Sequence, residues 1–305
     1  MQIKEKKPTV AILMSTYNGE KYLRQQLDSI FAQEDVSIKL IVRDDGSSDR
    51  TRDILNEYKG ITVMAENNIG CEESFKKLLY LPIEADYYAF ADQDDVWHPR
   101  KLISAINILS NTDAELYVCN LMLADGDLNL ERPLFSKKDI ERINYKFKNY
   151  VLGNLHGCVQ VWSDKLHNII QSYVPLIMYG HDAWVNAIAN MVYSTYIDEN
   201  CYINYRLHGN NTSGLARNNY QKIKKGLTKY LRSNSPSKYI LCKDLLKGFG
   251  HMVDISNKRY ETICLISNYK DSLINKIKLL TAKFINVTDF EHRCLNWISI
   301  IINRY

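Results

Sequence analysis

The chain has 305 residues, 46% of them apolar and 24% charged, with a formal net charge of +4. That size and apolar content support a full core, and so small a positive balance gives no sign of nucleic-acid binding. Seven scattered cysteines without a CxxC pair read as free thiols of a reducing compartment, and the chain shows neither a secretory leader pattern nor a run approaching the ~18 apolar residues of a membrane helix.

Thr9 to Met14 is a continuous apolar run, as expected of a strand buried on both faces, and it breaks at Ser15-Thr16-Tyr17-Asn18-Gly19. A helix is predicted over 20–33, with Leu23, Leu27, Ile30 and Phe31 at helical spacing. Ile38 to Val42 is a second strand, ending at Asp44-Asp45-Gly46-Ser47-Ser48-Asp49, where Ser47 or Ser48 can cap the next helix. Ile61 to Ala65 is a third strand. Asn67-Asn68-Ile69-Gly70 is a turn before a helix over 71–79.

Tyr87 to Ala91 then leads into Asp92-Gln93-Asp94-Asp95-Val96-Trp97-His98-Pro99, where Pro99 suits the first turn of a helix running to Leu109. Three carboxylates within four residues repel one another unless a cation neutralises them, and oxygen ligands on a short loop suit Mg2+ or Mn2+. A solvated acidic turn is the plain alternative. Alternating strands and helices over about 110 residues mean a parallel sheet whose polar loops share one edge, where a nucleotide would lie. No GxGxxG or GxxxxGK[ST] is present, which weakens a dehydrogenase or P-loop reading.

The pattern changes after residue 112. Leu116 to Leu121 reads as a strand, Asp125-Gly126-Asp127 as a turn, and 131–150 as loop plus a short helix. Residues 153–162 give a turn and a strand, and 164–172 a helix. Gly180-His181-Asp182-Ala183-Trp184 opens another helix, two strands follow at 193–197 and 201–205, and Arg206 to Gly214 is a polar loop. From Arg217 to Lys243 every charge is positive. The remainder is mainly helical in pattern.

Met14 to Gly19, Arg43 to Asp49 and Phe90 to Trp97, taken together in order and spacing, resemble the family 2 glycosyltransferases of GT-A fold. His181-Asp182 and Arg206-Leu207-His208-Gly209-Asn210-Asn211 look like later segments of that family and are most similar to its bacterial rhamnosyltransferase-like branch. The Gln-x-x-Arg-Trp motif of processive members is absent. The likeness covers about two-thirds of the chain and implies a mixed α/β GT-A fold. Its nucleotide-sugar half would span 1–112, its acceptor half 113–216, and a basic, helical extension 217–305.

The resemblance assigns roles residue by residue. Asp94 would ligate Mn2+ or Mg2+, and His208 would complete the shell or touch the diphosphate, with a structural or solvated histidine as the alternative. Asp92 would meet the ribose, or the metal through water, and Asp45 the base, in a pocket with Ser15, Thr16, Asn18 and Asn68; an Asx-turn capping the next helix is the alternative for Asp44 and Asp45. Asp182 is the candidate general base, its proton affinity raised by an apolar wall such as Trp184, with a helix N-cap as the alternative. Arg206 would pair with phosphate or form an ion pair within the fold. His156 and Trp184 would shape the acceptor site or merely pack. Asp95 reads as a helix-start carboxylate beside Pro99.

A single base without a nucleophile implies inversion. The expected reaction carries a sugar from a UDP- or dTDP-linked donor, with a lean to dTDP-rhamnose, onto a growing, lipid-linked cell-surface glycan. Residues 217–243 could lie on an anionic membrane, which would make the protein cytoplasmic and peripheral at the membrane's inner face, or form an ordinary solvated helix face. A nucleotidyltransferase and a non-catalytic nucleotide- or glycan-binding module are the alternatives.

Overall fold

A computed structural model describes residues 6–149, 155–175, 177–208, 237–282 and 290–305. Its first half is built on β1 (Thr9–Thr16), β2 (Ser37–Asp44), β3 (Ile61–Ala65) and β4 (Tyr87–Ala91). All pair in parallel in the order β3-β2-β1-β4, so their carboxyl ends fall on one edge. Val10 to Met14 are fully buried, as the unbroken apolar run requires of a strand covered on both faces. Helix α1 (Leu23–Phe31) lays Leu23, Leu27 and Ile30 into the core, while α2 (Thr51–Glu57) and α3 (Cys71–Leu79) bury shorter stripes. Each such aliphatic side chain contributes roughly 1.5–3 kcal/mol through burial.

The element starts differ from expectation for local reasons. Residues 19–22 form a turn, in which the Tyr22 and Leu23 amides donate to the Gly19 carbonyl, so α1 begins at Leu23 and not at Glu20. Ser47 and Ser48 do not cap α2. They bond Asp44 and Asn18, and the Asp49 carboxylate takes the Thr51 amide instead. Pro99 is not in the first turn of α4 (Lys101–Asn111), because Val96–Trp97 form a two-residue strand, β5, and a turn separates it from the helix.

The second half extends the same sheet with β6 (Leu116–Ala124), β7 (Leu130–Pro133), β8 (Gln160–Ser163) and β9 (Thr195–Arg206). β8 pairs antiparallel with β4 and with β6, and β9 lies parallel to β6. β9 is one strand where the sequence suggested two, because β6 holds it along its length through two register shifts. Helix α5 (Lys137–Asn149) follows β7. Ser163 caps α6 (Asp164–Gln171), its hydroxyl accepting the Leu166 amide. Helix α7 (His181–Val192) begins after Gly180, which is therefore its N-cap, a place the sequence had also offered to Asp182.

Beyond these, α8 (Lys238–Phe249), α9 (Lys258–Asn268), α10 (Leu273–Thr281) and α11 (Phe290–Ile301) form the helical extension. Leu241, Leu245, Phe249, Ile263 and Ile266 are buried there. Most of the basic stretch 217–243 lies outside the described residues. Among the described residues no helix is long and apolar enough to cross a membrane, and six cysteines are free thiols.

Candidate active site

The polar loops after β1, β2 and β4 are knitted together at the sheet edge. Gln93 grips the first of them from the acidic loop. Its side chain accepts from the Tyr17 amide at 2.9 Å and donates to the Tyr17 carbonyl at 3.1 Å. Asn18, with φ +46°, accepts the Ser48 amide at 2.9 Å, and its own amide donates to the Ser47 hydroxyl. The Ser15 hydroxyl donates to Ser74 of α3, while Thr16 is fully buried and bonds Asp44. Asn68 is exposed and steadies its own turn by accepting the Gly70 amide.

Asp45 is almost fully buried. It pairs with Arg43 and accepts the Ile69 amide at 2.8 Å and the Gly70 amide at 2.9 Å. Its carboxylate is therefore turned into the loop that carries Asn68. A base contact would draw on a lone pair of an oxygen that is already shared.

Asp94 and His208 come together although 114 positions separate them. The reason is β5. Val96 pairs with Asn204 and Trp97 with Ile203 in an antiparallel ladder, which carries the end of β9 past the acidic loop. His208 Nε2 then lies 2.7 Å from Asp94 Oδ2, and both side chains keep a sixth of their surface open. Tyr22 supports the imidazole with ring centroids 5.0 Å apart. The accessible carboxylate offers the oxygen ligand that Mn2+ and Mg2+ both favour, and the imidazole beside it suits a transition ion such as Mn2+ better than Mg2+.

A second group has three members. Asp92, Asp95 and Cys158 each place one ligand atom within 4.8 Å of the others. Its chemistry does not suit a cation that must meet a substrate phosphate. Burial, with Asp95 and Asp92 nearby, pushes the Cys158 thiol well above its usual range, so it keeps its proton. Asp95 is fully buried, and burial together with Asp94 and Asp92 raises its carboxyl well above the ordinary value. It accepts the Arg206 amide and does not stand at a helix start, correcting the reading beside Pro99. Asp92 is half-buried and pushed up to about 6 by burial and by Asp94. Beneath them Lys101 is fully buried. Its ammonium donates to the Cys158 carbonyl at 2.8 Å and lies over the Trp97 ring, and burial lowers its proton affinity to about 8.

Two expected contacts are corrected. Arg206 does not reach out toward a phosphate. It is buried, donating from Nε to the Asp94 carbonyl, from Nη1 to the Gly126 carbonyl and from Nη2 to Gln25 Oε1, with its guanidinium 4.3 Å above the Tyr22 ring. It braces the acidic loop from behind. Trp184 does not line an acceptor site either. Two positions beyond Asp182 on a helix it points to the opposite side, where it is buried against Tyr173 and Phe249 and its Nε1 donates to the Tyr80 hydroxyl.

Asp182 sits in the first turn of α7, half-buried, with Oδ1 accepting the Ala183 amide at 2.7 Å. The Gln160 amide group holds its backbone carbonyl. His156 is close enough to feel the Asp182 charge, although burial is the larger influence and lowers its proton affinity. The neighbours around Asp182 are thus His156 and His181, not Trp184. His181 is a residue that the sequence reading passed over. Its adjacency to Asp182 in the His-Asp pair was the available signal, but a ring buried between two phenylalanines is not visible in one dimension.

A sequence model of Glycosyl transferase family 2 matches residues 11–168. The dTDP-rhamnosyl transferase RfbG of Shigella flexneri is 28% identical over 229 residues, which cover 66% of this chain and 73% of that one. Two solved structures share the fold. TarS 1–349 of S. aureus in complex with UDP-GlcNAc superposes with a TM-score of 0.57 at 16% identity, over 97% of this chain and 93% of that one. The mannosyltransferase PcManGT from Pyrobaculum calidifontis in complex with GDP-Man and Mn2+ gives 0.57 at 14% identity, over 99% and 89%.

Proposed function

Since the chain belongs to glycosyl transferase family 2, and is thus a glycosyltransferase of GT-A fold, we propose that it carries a sugar from a UDP- or dTDP-linked donor to a growing cell-surface glycan, with inversion at the anomeric carbon. We favour dTDP-rhamnose, which the similarity to a dTDP-rhamnosyl transferase and the His-Asp and Arg-x-His-x-x-Asn segments support. The acceptor would be lipid-linked, met by a cytoplasmic enzyme peripheral to the membrane, with the basic residues 217–243 at the lipid surface.

The observation that carries the reading is the Asp94–His208 pair at 2.7 Å on the edge where the nucleotide loops converge. Asp94 and His208 would hold Mn2+ or Mg2+, which supplies positive charge against the departing diphosphate. Ser15, Thr16, Asn18, the Asp45-held turn with Asn68, and Asp92 frame the nucleoside. Asp182 takes the proton of the acceptor hydroxyl as its oxygen attacks the anomeric carbon opposite the leaving group, and His156 borders the acceptor. Arg206 keeps the acidic loop in place without touching substrate.

Thermal denaturation with UDP, dTDP, GDP, CMP and ADP, each with and without Mn2+, tests this. A ligand that binds only the folded state raises the midpoint. A shift with dTDP or UDP that needs Mn2+, together with Mn2+-dependent donor hydrolysis, is the expected result. A shift with GDP alone, or Mn2+-independent binding and turnover, would overturn the donor and metal assignments respectively.

A further inference from the structure

His181 has an unusually built surrounding. Its ring is nine-tenths buried, stacked on Phe75 at 4.0 Å and set edge-on to Phe90 at 4.8 Å. Two glycines make the slot. Gly180 takes φ +127°, which a residue with a side chain rarely adopts, and Gly157 passes so close that a Cβ there would stand 2.8 Å from His181 Nε2. Within the slot His181 Nδ1 has no hydrogen-bond partner among the described residues and faces Glu72 Oε2 at 3.7 Å. The same Glu72 oxygen accepts the His181 amide at 3.3 Å. Glu72 itself lies in the first turn of α3 with most of its side chain in solvent.

The charged groups that face the ring come from three elements. They are Glu72 of α3, Asp92 of the loop after β4, and Asp182 on the ring's own helix; all three are acids. Other titratable neighbours stay neutral near neutral pH. His156 is lowered by burial, the Cys71 thiol is raised to about 12, and the Cys158 thiol is raised well above its usual range.

We infer that His181 is a positioning residue of the transfer site: a buried imidazolium, held by Glu72, that offsets the crowding of Asp92 and Asp182 and keeps Asp182 ionised as the base without touching substrate. The inference rests on the role of Asp182 given above. An aromatic slot that served packing alone would be filled best by phenylalanine. A histidine there, with an unmatched Nδ1 aimed at a carboxylate, is a costly choice unless its charge is used. Burial pushes the ring toward its neutral form, but Glu72, Asp182 and Asp92 together outweigh it and raise its proton affinity above the ordinary histidine value. The ring is therefore biased toward its charged form on the acid side of neutrality. A nearby opposite charge favours the ionised form of a carboxyl group. Removing it moves the acid limb of the rate profile upward.

The test uses the full chain. Histidine titrations followed by NMR on protein labelled at its imidazole carbons, with His181→Gln identifying the signal, give the His181 midpoint in the parent and in Glu72→Gln. Glu72 is exposed, so its replacement leaves the fold intact. The expected midpoint is above the ordinary ~6.5 in the parent and lower in Glu72→Gln. In parallel, Mn2+-dependent hydrolysis of dTDP-rhamnose is measured against pH. The acid limb of kcat is expected to rise by about 1 pH unit or more in His181→Gln, with the donor KM changed less than about threefold. A parent midpoint below ~6.5, or an unmoved acid limb in a folded His181→Gln, overturns the inference. A chain that hydrolyses no nucleotide sugar overturns the proposed function instead, and the NMR midpoint then decides the charge state of His181 alone.

Discussion

Asp94, His208 and Asp182 make separable demands on the chemistry, so substitutions should divide them. Asp94→Asn keeps the shape but gives up the charge that holds a cation. It is expected to cost more than about tenfold in kcat, with the apparent Mn2+ requirement rising, as read by donor turnover against Mn2+ concentration. A loss smaller than that would remove Asp94 from the metal site. Asp182→Asn should leave the Mn2+-dependent thermal shift with the nucleotide intact. It should reduce transfer by about 10²–10⁴-fold, the usual share of a general base, and single-turnover transfer measures it. Equal loss of nucleotide binding would mean that Asp182 serves the donor instead. Arg206→Ala behaves otherwise. Its guanidinium is spent on the Asp94 carbonyl, the Gly126 carbonyl and Gln25. Truncation leaves buried acceptors unmatched and should lower stability by roughly 2–3 kcal/mol in denaturant titration, before any effect on phosphate recognition.

The elements explain which of these residues a reader of the sequence could place. β1, β2 and β4 are unbroken apolar runs because both faces of a parallel sheet are covered, so the shared carboxyl edge and the loops carrying Ser15, Asp45 and Asp92 followed from pattern alone. What set the position of His208 was β5, two residues long, whose existence depends on β9 more than a hundred positions away; no local period announces it. The inward turn of Arg206 and Trp184 was hidden for the same reason. Each is chemically suited to an active site, and only the packing of α1 under the acidic loop and of α8 against α7 decides that they are structural. The start of α7 is the element most exposed to test. Gly180→Ala must force φ +127° on a residue with a Cβ that would stand 3.1 Å from Asp182 Oδ1. It should cost about 1–3 kcal/mol, and should lower transfer by displacing Asp182 while nucleotide binding persists. Thermal denaturation and turnover on one preparation check both.

At the scale of the whole molecule, pH divides the buried ionisable groups into opposing sets. His167 is buried, stacked on Tyr88 at 3.7 Å, and burial alone lowers its proton affinity to about 4. A depressed folded value means that the unfolded chain binds the proton more tightly. The stabilisation is complete above the unfolded value near 6.5 and is lost as pH falls toward 4, a difference of roughly 3 kcal/mol. Asp44, lowered by its bonds to Ser47, Arg52 and Thr16 against the opposing effect of burial, adds to the loss at more acid pH. Asp92, pushed up to about 6, works in the other direction, since protonation relieves its burial and its repulsion by Asp94. His181 likewise stabilises the fold fully on the acid side and less as pH rises. The net slope between pH 7 and 5 therefore reports which set dominates, and His167 can be removed from it cleanly. It lies on α6, packed against Tyr88 of β4, and its ring already stacks as an aromatic. His167→Phe should flatten the fall in unfolding free energy between pH 6.5 and 4.5 by roughly 2–3 kcal/mol while leaving turnover at pH 7.5 unchanged. Urea titrations at each pH measure the slope. An equal fall in parent and variant would show that the acids of the transfer site, and not this core histidine, set the acid limit of the fold.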